Sequence, residues 1–342
     1  MAVFTPVSDD QARAFLNAYE LGTFRSLHPI AEGVENTNYR LETDGAVHVL
    51  TLFEARTDAA SLPFCLGLTD HLAGRAFPAP RPVRNRDGDW VGTLNGRPAA
   101  VIEWLSGAWL RAPSSTEVEA AGAMLARLHL QADGFAVARA NPVGPVVWRA
   151  LADRCQSAAT GEDRAILDGV EAILSRLDDP WTGDLPRGPI HADYFPDNVL
   201  FQDGAVSGVI DFYFGCTDLL VYDLAIALSA WGFDGAGTPI PGAVEAFRRG
   251  YEAVRPLTPP EAAALPRLGE AAAIRFTLTR LHDRIFHDPT KLVTPKDPGA
   301  FFSRAAWWRA VASPRTPAPP PAPRPHPPRS PRTVRPGRPG RG

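Results

Sequence analysis

Four polar side chains of types that suit phosphoryl transfer lie close together in the stretch 188–213. They follow the pattern H-x-D-x-x-x-x-N, completed by a carboxylate at the end of a β-rich run: His191, Asp193, Asn198 and Asp211. Carboxylate and amide oxygens are the ligands that Mg²⁺ accepts beside substrate phosphates. One further acid can take the proton of an attacking hydroxyl, so the set predicts phosphoryl transfer from a magnesium-bound nucleotide. The alternative is a surface hairpin with ordinary turn acids.

A β-hairpin is predicted to bring these groups together. Asp203-Gly204 is a two-residue turn signal between two β-rich runs. With a regular turn, Asn198 lies opposite Val209, and Asp211 points to the same face on the diagonal. A bulge would break this register. The loop before the hairpin adds Asp193.

Composition limits the class of protein. The chain has 342 residues, of which 45% are hydrophobic and 21% charged, so we expect a globular protein with two lobes and a sizeable core. Its three cysteines lie far apart without CxxC spacing, which predicts no disulfide framework, no zinc site and a cytoplasmic location. We find no signal peptide, and no apolar run long enough for a membrane span.

Charge is distributed unevenly along the chain. The net charge is −3, but residues 314–342 contain only basic charged residues and are rich in proline. This segment cannot bury enough apolar surface to fold, so we predict that it is disordered. The remainder is acidic, which makes nucleic acid an unexpected partner.

Secondary-structure signals predict two lobes. Residues 1–105 contain β-rich runs around Asp-Gly and Asn-Gly turns, with one leucine-rich helix inserted, and predict an antiparallel β lobe. Residues 106–313 predict a mainly helical lobe; the expected helices are 114–131, 161–177, 219–231, 243–255, 260–286 and 299–312, with a loop at 141–148. The expected fold class is therefore α+β.

The order of the lobes and the H-x-D-x-x-x-x-N…I-D-F motif resemble the protein-kinase-like small-molecule kinases, the group of aminoglycoside, choline and homoserine kinases. The resemblance covers residues 10–312, and three runs are most similar to the homoserine kinases: 33–39, 191–201 and 208–213 with the later 222–225. It implies a two-lobed kinase-like fold, ATP and Mg²⁺, and phosphorylation of the hydroxyl of L-homoserine for threonine biosynthesis. Aminoglycosides, choline and other amino alcohols are alternative acceptors, and a non-catalytic nucleotide-binding protein is a lesser alternative.

The resemblance also implies roles for single residues. Asp193 falls on the catalytic acid/base position, and Asn198 and Asp211 fall on the metal positions. His191 falls on a scaffold position of the catalytic loop. The positions expected to meet the nucleotide are Asn36, Thr37 and Asn38 in a phosphate-facing loop, and Glu103 and Leu105 in the hinge beside adenine.

An acceptor with an ammonium and a carboxylate needs one acidic and one basic partner in the helical lobe. We expect these to be Asp283 and Arg280 or Arg284, with Tyr213 and Trp231 as walls of the pocket. Surface ion pairs along a helix are the alternative interpretation of this charged run.

One position departs from the family pattern. Many relatives carry a lysine or arginine in the third strand, where this chain has Thr51, and no basic residue lies between His48 and Arg56. The glutamate that usually partners this basic residue, on the helix inserted in the β lobe, is also missing, and Asp70 is the nearest acid in that place.

Overall fold

The computed structural model describes residues 5–30, 36–54, 58–177, 181, 183–287 and 294–312. Residues 1–312 form one compact unit. The predicted disordered segment 314–342 lies outside the described residues, and so does Arg56.

The first part of this unit is an antiparallel sheet of five strands in the order β1-β2-β3-β5-β4. The strands are β1 (Phe24–Pro29), β2 (Thr37–Thr43), β3 (Val47–Leu52), β4 (Gly92–Leu94) and β5 (Arg97–Glu103). The helix α1 (Asp9–Leu16) precedes the sheet, and α2 (Leu62–Ala73) is inserted between β3 and β4. Alternating residues of β2 are buried, which is the pattern of a sheet that packs one face on a core. The antiparallel β lobe with one inserted helix is confirmed, and β1 is a strand that the sequence analysis did not anticipate.

The second part is mainly helical. Its helices are α3 (Ser115–Gln131), α4 (Pro145–Gln156), α5 (Gly161–Leu174), α6 (Leu220–Trp231), α7 (Ala243–Val254), α8 (Pro259–Ile285) and α9 (Gly299–Ala312). Two short antiparallel pairs complete it, β6 (Arg187–Ile190) with β9 (Cys216–Leu219) and β7 (Val199–Gln202) with β8 (Ala205–Val209). The α+β fold class is confirmed.

The predicted loop 141–148 is wrong in its second half. The helix α4 begins at Pro145, and proline suits the first turn of a helix because its missing N–H has no partner to lose there. Trp148 is buried in the core between α4, α5 and α8, and its indole N–H donates to the carbonyl of Val143. Burial of one tryptophan therefore stabilises a helix in a stretch whose local composition is typical of a loop.

The core of the helical part depends on two helices that approach very closely. A Cβ atom on Gly122 of α3 would lie 2.0 Å from the carbonyl oxygen of Phe247 in α7. A Cβ atom on Gly250 of α7 would lie 1.9 Å from the carbonyl oxygen of Glu119. The two backbones can pack at this distance only because both positions are glycine.

Candidate active site

The loop that carries Asp193 is anchored by the buried carboxylate of Asp223. The backbone N–H groups of His191 and Ala192 each donate to a different oxygen of Asp223, both at 2.8 Å. The Nε2 atom of His129 lies 3.0 Å from the same carboxylate, and Asp223 is fully buried. These three bonds hold the loop at the point where Ala192 adopts the left-handed conformation, with φ of 62°.

The charge of Asp223 is well compensated. Burial acts to raise its pKa, but the hydrogen bond and charge of His129, together with His191, lower it below the ordinary value. Asp223 lies within the first turn of α6. An acid at this place is typical of a helix start, but here it anchors the loop that carries Asp193.

His191 connects the two halves of the site. It is fully buried, its Nε2–H donates to the carbonyl of Ile210 at 2.9 Å, and its Nδ1 accepts the N–H of Asp193 at 3.2 Å. Burial lowers the pKa of His191, which favours the neutral imidazole. Its two partners define the tautomer in which Nε2 carries the proton. The ring therefore fixes the position of Asp193 relative to the residue that precedes Asp211.

Asn198 lies directly beside Asp193. Its Nδ2 donates to the backbone carbonyl of Asp193 at 2.9 Å and to the carboxylate at 3.3 Å. Its own carbonyl accepts the N–H of Ile210 at 3.0 Å, which brings the backbone before Asp211 to the same place. Asp211 then turns away from the strand with φ of 64° and ψ of 58°.

The expected register of this hairpin is wrong by one residue. The ladder shifts between Leu200 and Phe201, and Val199, not Asn198, lies opposite Val209. Asn198 belongs to a short 3₁₀ turn that precedes β7. An extra residue in one strand changes which side chains face each other, and here the N–H of Ile210 still joins the residue before Asp211 to the backbone of Asn198.

Several charges act on the carboxylate of Asp193. Burial raises its pKa, whereas the positive charges of Arg275 and Lys296 lower it. Arg275 is itself almost fully buried in α8, and its Nη1 donates to the carbonyl of Ala192 at 2.6 Å. The sequence analysis did not identify Arg275, because an arginine within a helix gives no local sign that it faces a distant loop.

The three residues expected to face phosphates lie where β2 begins. Asn36 Oδ1 accepts the N–H of Glu54 at 3.2 Å, and Thr37 Oγ1 donates to the carboxylate of Glu54 at 2.8 Å. Both residues are buried. Asn38 is half-buried and accepts a hydrogen bond of 2.8 Å from Thr51, the residue at the position of the missing strand lysine. These side chains thus tie the end of the predicted phosphate loop to strand β3.

The predicted hinge runs next to the hairpin. Glu103 ends β5 and is exposed, and its N–H donates to the carbonyl of Arg81 at 2.8 Å. A Cβ atom on Gly208 of β8 would lie 3.0 Å from Leu105, so Leu105 packs directly on this strand. Ala108 and Phe201 exchange two backbone hydrogen bonds of 3.0 and 2.8 Å. The hinge is therefore held against the hairpin that carries Asn198.

The two aromatic residues expected at the substrate pocket lie in different surroundings. Tyr213 packs edge-on against Phe53, and burial raises its pKa while a side-chain hydrogen bond with Thr51 acts in the opposite direction. Trp231 is buried, and its indole N–H donates to the carbonyl of Tyr194 at 3.0 Å. Tyr213 thus lies under the β sheet, whereas Trp231 belongs to the core beneath the catalytic loop.

The two charged residues predicted on α8, Arg280 and Asp283, have these surroundings. Arg280 stacks on Phe301 at 4.4 Å and donates to the carbonyl of Asp297 at 3.1 Å. Burial lowers its pKa to about 10, and the negative charge of Asp193 opposes that shift. Asp283 has a side chain that is 44% exposed and lies 3.7 Å from His282. Arg280 therefore lies where the charge of Asp193 acts on it.

The donor set fits a magnesium–nucleotide complex. Within the described ranges, no group of three or more His, Cys, Asp and Glu side chains forms a metal cage. A site of one carboxylate and one amide oxygen matches the preference of Mg²⁺, which completes its shell with water and substrate phosphates. Asn198 uses its Nδ2 on Asp193, so its oxygen is the atom that would meet a cation.

The fold and this arrangement define the class of two-lobed, protein-kinase-like phosphotransferases. The model of the phosphotransferase enzyme family matches residues 26–257, and the chain belongs to this family.

Homoserine kinases align with this chain over nearly its whole length. The chain is 47% identical to a homoserine kinase from Gluconacetobacter diazotrophicus over 312 residues, which are 91% of this chain and 97% of that protein. It is 45% identical to a homoserine kinase from Rhodospirillum rubrum, covering 92% and 98% of the two chains.

Solved structures show the same fold at low identity. A spectinomycin phosphotransferase in complex with ADP and spectinomycin superposes with a TM-score of 0.64 at 13% identity, covering 89% of this chain and all of that one (100%). A microcompartment-associated aminopropanol kinase gives 0.63 at 20% identity, covering 89% and 96%. Among the residues that the structure describes, no helix has both the length and the apolar character of a membrane span.

Proposed function

We propose that this enzyme transfers the terminal phosphoryl group of ATP to the side-chain hydroxyl of L-homoserine and forms O-phospho-L-homoserine, an intermediate of threonine biosynthesis. The observation that carries this proposal is the 43–47% identity to homoserine kinases along nearly their whole length. The geometry around Asp193 supports the chemistry, since Asn198 bonds to Asp193 and also accepts the backbone N–H of Ile210, the residue before Asp211. The three free cysteines, all buried, fit the cytoplasm as its location.

In this proposal Asp193 orients the acceptor hydroxyl and takes its proton. Burial raises the pKa of the carboxyl, which makes it a better base than an exposed aspartate, and the positive charges of Arg275 and Lys296 oppose this shift. Asn198 and Asp211 would hold Mg²⁺, which supplies charge neutralisation on the nucleotide phosphates. Most of the rate enhancement then comes from positioning and electrostatic stabilisation.

The nucleotide would bind between the lobes, which we assign to residues 1–105 and 106–313. Backbone groups from Glu103 to Leu105 are proposed to meet adenine, because this segment is packed against the hairpin of Asn198. Asn36, Thr37 and Asn38 are proposed to hold the phosphate-facing loop in place through their bonds to strand β3.

The charges near Asp193 favour an amino acid over the alternative acceptors. Arg275, Arg280 and Lys296 all act on this carboxylate and offer positive charge to an acceptor carboxylate, beside the negative charge of Asp197. Choline and aminoglycosides have no carboxylate and cannot make these ion pairs, so they lack this part of the recognition.

The first test is release of ADP from Mg²⁺-ATP with L-homoserine, compared with choline, L-serine and kanamycin. We expect selective turnover of L-homoserine. Turnover of another acceptor alone would keep the chemistry and change the substrate. Binding of Mg²⁺-ATP without turnover of any acceptor would favour a non-catalytic nucleotide-binding protein.

The second test removes the proposed base. Asp193→Ala should lower kcat by roughly 10²–10⁴-fold. Circular dichroism should show that the variant remains folded, since Asp193 does not anchor the loop. Activity close to that of the wild type would contradict the assignment.

A further inference from the structure

A cluster of three phenyl rings extends from the catalytic loop towards α9. The ring of Phe195 lies 5.1 Å from that of Phe276 and 5.9 Å from that of Phe301, measured between centroids. Two guanidinium groups stack on Phe301, Arg280 at 4.4 Å and Arg304 at 3.8 Å from the ring centroid. Two positive charges therefore share one ring, close to the loop of Asp193.

Arg304 is a buried cation with unsatisfied donors. The residue is 4% exposed, and its Nη2 donates to the backbone carbonyl of Asp234 at 3.1 Å. Among the residues that the structure describes, its Nε and Nη1 have no hydrogen-bond partner. Burial and the positive charge of Arg280 lower the pKa of Arg304 to about 9, which reflects how weakly its charge is compensated.

The carboxylate of Asp234 acts on Arg304 but does not satisfy its unpaired donors. Oδ1 of Asp234 accepts the N–H groups of Ala236 and Thr238 at 3.0 and 2.8 Å, so it stabilises its own turn. Phe301 and Phe233 provide stacking for Arg304, at 3.8 and 5.2 Å, but no hydrogen-bond acceptor. Buried N–H groups without partners are costly, and a charged group more so. Such a group is expected where a ligand supplies the missing acceptor and the missing negative charge.

We propose that Arg304, assisted by Arg280 on the same ring, binds the carboxylate of the amino-acid acceptor. This inference rests on the proposed function and names the part of the substrate that the helical lobe recognises. Arg280 links the two ends of the proposed site, because it stacks on the same ring as Arg304 and is acted on by the negative charge of Asp193. Guanidinium groups are well suited to this role because they present several donors to a carboxylate.

The test compares two acceptors that differ only in the recognised group. L-Homoserine carries the carboxylate, whereas 3-amino-1-propanol keeps the hydroxyl, the carbon chain and the amine without it. Arg304→Met should lower kcat/KM for L-homoserine by roughly 10- to 100-fold, mainly through KM, because a charge-assisted hydrogen bond of this size is lost. The same change should leave kcat/KM for 3-amino-1-propanol within about twofold of the wild type.

Two further variants separate recognition from structure. Arg309→Met removes the same charge from an exposed position of the same helix and should leave both substrates unaffected. Arg304→Lys keeps the charge and should recover part of the selectivity, and it replaces Arg304→Met if that protein does not fold. Equal losses for both substrates, or no loss for L-homoserine, would overturn the inference.

The wild-type measurement distinguishes failure of the inference from failure of the proposed function. If the wild type phosphorylates a different amino acid, such as L-serine, the proposed substrate is wrong and Arg304 is tested on L-serine against ethanolamine. If the wild type uses acceptors with and without a carboxylate equally well, the inference about Arg304 is wrong.

Discussion

Replacement of Asp223 by alanine should show how far the anchoring of the loop that carries Asp193 contributes to stability and to turnover. Asp223 is fully buried and accepts the N–H groups of His191 and Ala192, both at 2.8 Å, while His129 lies 3.0 Å away. The alanine variant leaves all three groups buried without their acceptor. No part of Asp223 belongs to the proposed reacting groups, so its loss acts through position alone.

The magnitude follows from the kind of bond that is lost. Removing one partner from a buried, charged hydrogen-bond network costs about 3–5 kcal/mol, and we expect Asp223→Ala to lower the free energy of unfolding by about 4 kcal/mol. Asp223→Asn keeps the shape and one acceptor oxygen, so its cost should be about half of that. In both variants Ala192 is no longer held with φ of 62°, and misplacement of Asp193 should lower kcat by roughly 10²-fold.

The assay combines urea unfolding, followed by tryptophan fluorescence, with release of ADP at a temperature where each variant is folded. Asp168→Ala is the matched control, because this side chain is 61% exposed and should cost less than about 0.5 kcal/mol. A cost below about 1 kcal/mol for Asp223→Ala, or an unchanged kcat in the folded variant, would refute the anchoring role.

Three further predictions concern the metal site, a buried histidine and a helix contact. Asn198→Ala should raise the Mg²⁺ concentration for half-maximal activity by roughly tenfold or more, and an unchanged magnesium titration would argue against a ligand role. Burial lowers the pKa of His191 below the ordinary histidine value of about 6.5. Only the unfolded chain therefore binds this proton as the pH falls through that value, and the folded state loses stability. The difference in unfolding free energy between the wild type and His191→Gln should therefore narrow from about pH 7 to about pH 5, and a constant difference would show that the histidine is not buried neutral. Gly250→Ala places a Cβ atom 1.9 Å from a backbone carbonyl oxygen and should lower the free energy of unfolding by about 1–3 kcal/mol in chemical denaturation. Gly235→Ala is the control and should be neutral, because a Cβ atom there meets nothing within 4 Å. Equal effects of the two changes would contradict the close approach of the helices.

Features that depend on neighbouring residues were predictable. Ser8 with Gln11 and Ser114 with Glu117 form capping boxes, a signal that can be identified from two residues three positions apart. The turn at Asp203-Gly204 joins two strands as predicted, because both of its residues adopt positive φ. Such signals act over a few residues, so the sequence alone contains all the information that they need.

Features that depend on burial were not predictable. The bulge between Leu200 and Phe201 shifts the hairpin register, and the helix at Pro145 forms where loop composition predominates. Both follow from packing against other elements, which a local pattern does not describe. The same holds for the burial of Trp231 against Tyr194, because it is a property of the assembled core.

By itself the sequence determined the two-lobed architecture, the candidate reacting group Asp193 and the residues expected to hold a metal, since spacing and turn chemistry encode them. Only the tertiary structure decided how these groups are held and which charges surround them. Asp223 and Arg275 reach the catalytic loop from helices more than thirty positions away in the chain. The physical reason is that burial and compensation of charge arise between segments brought together by packing, and no local spacing indicates which arginine becomes buried beside a distant loop.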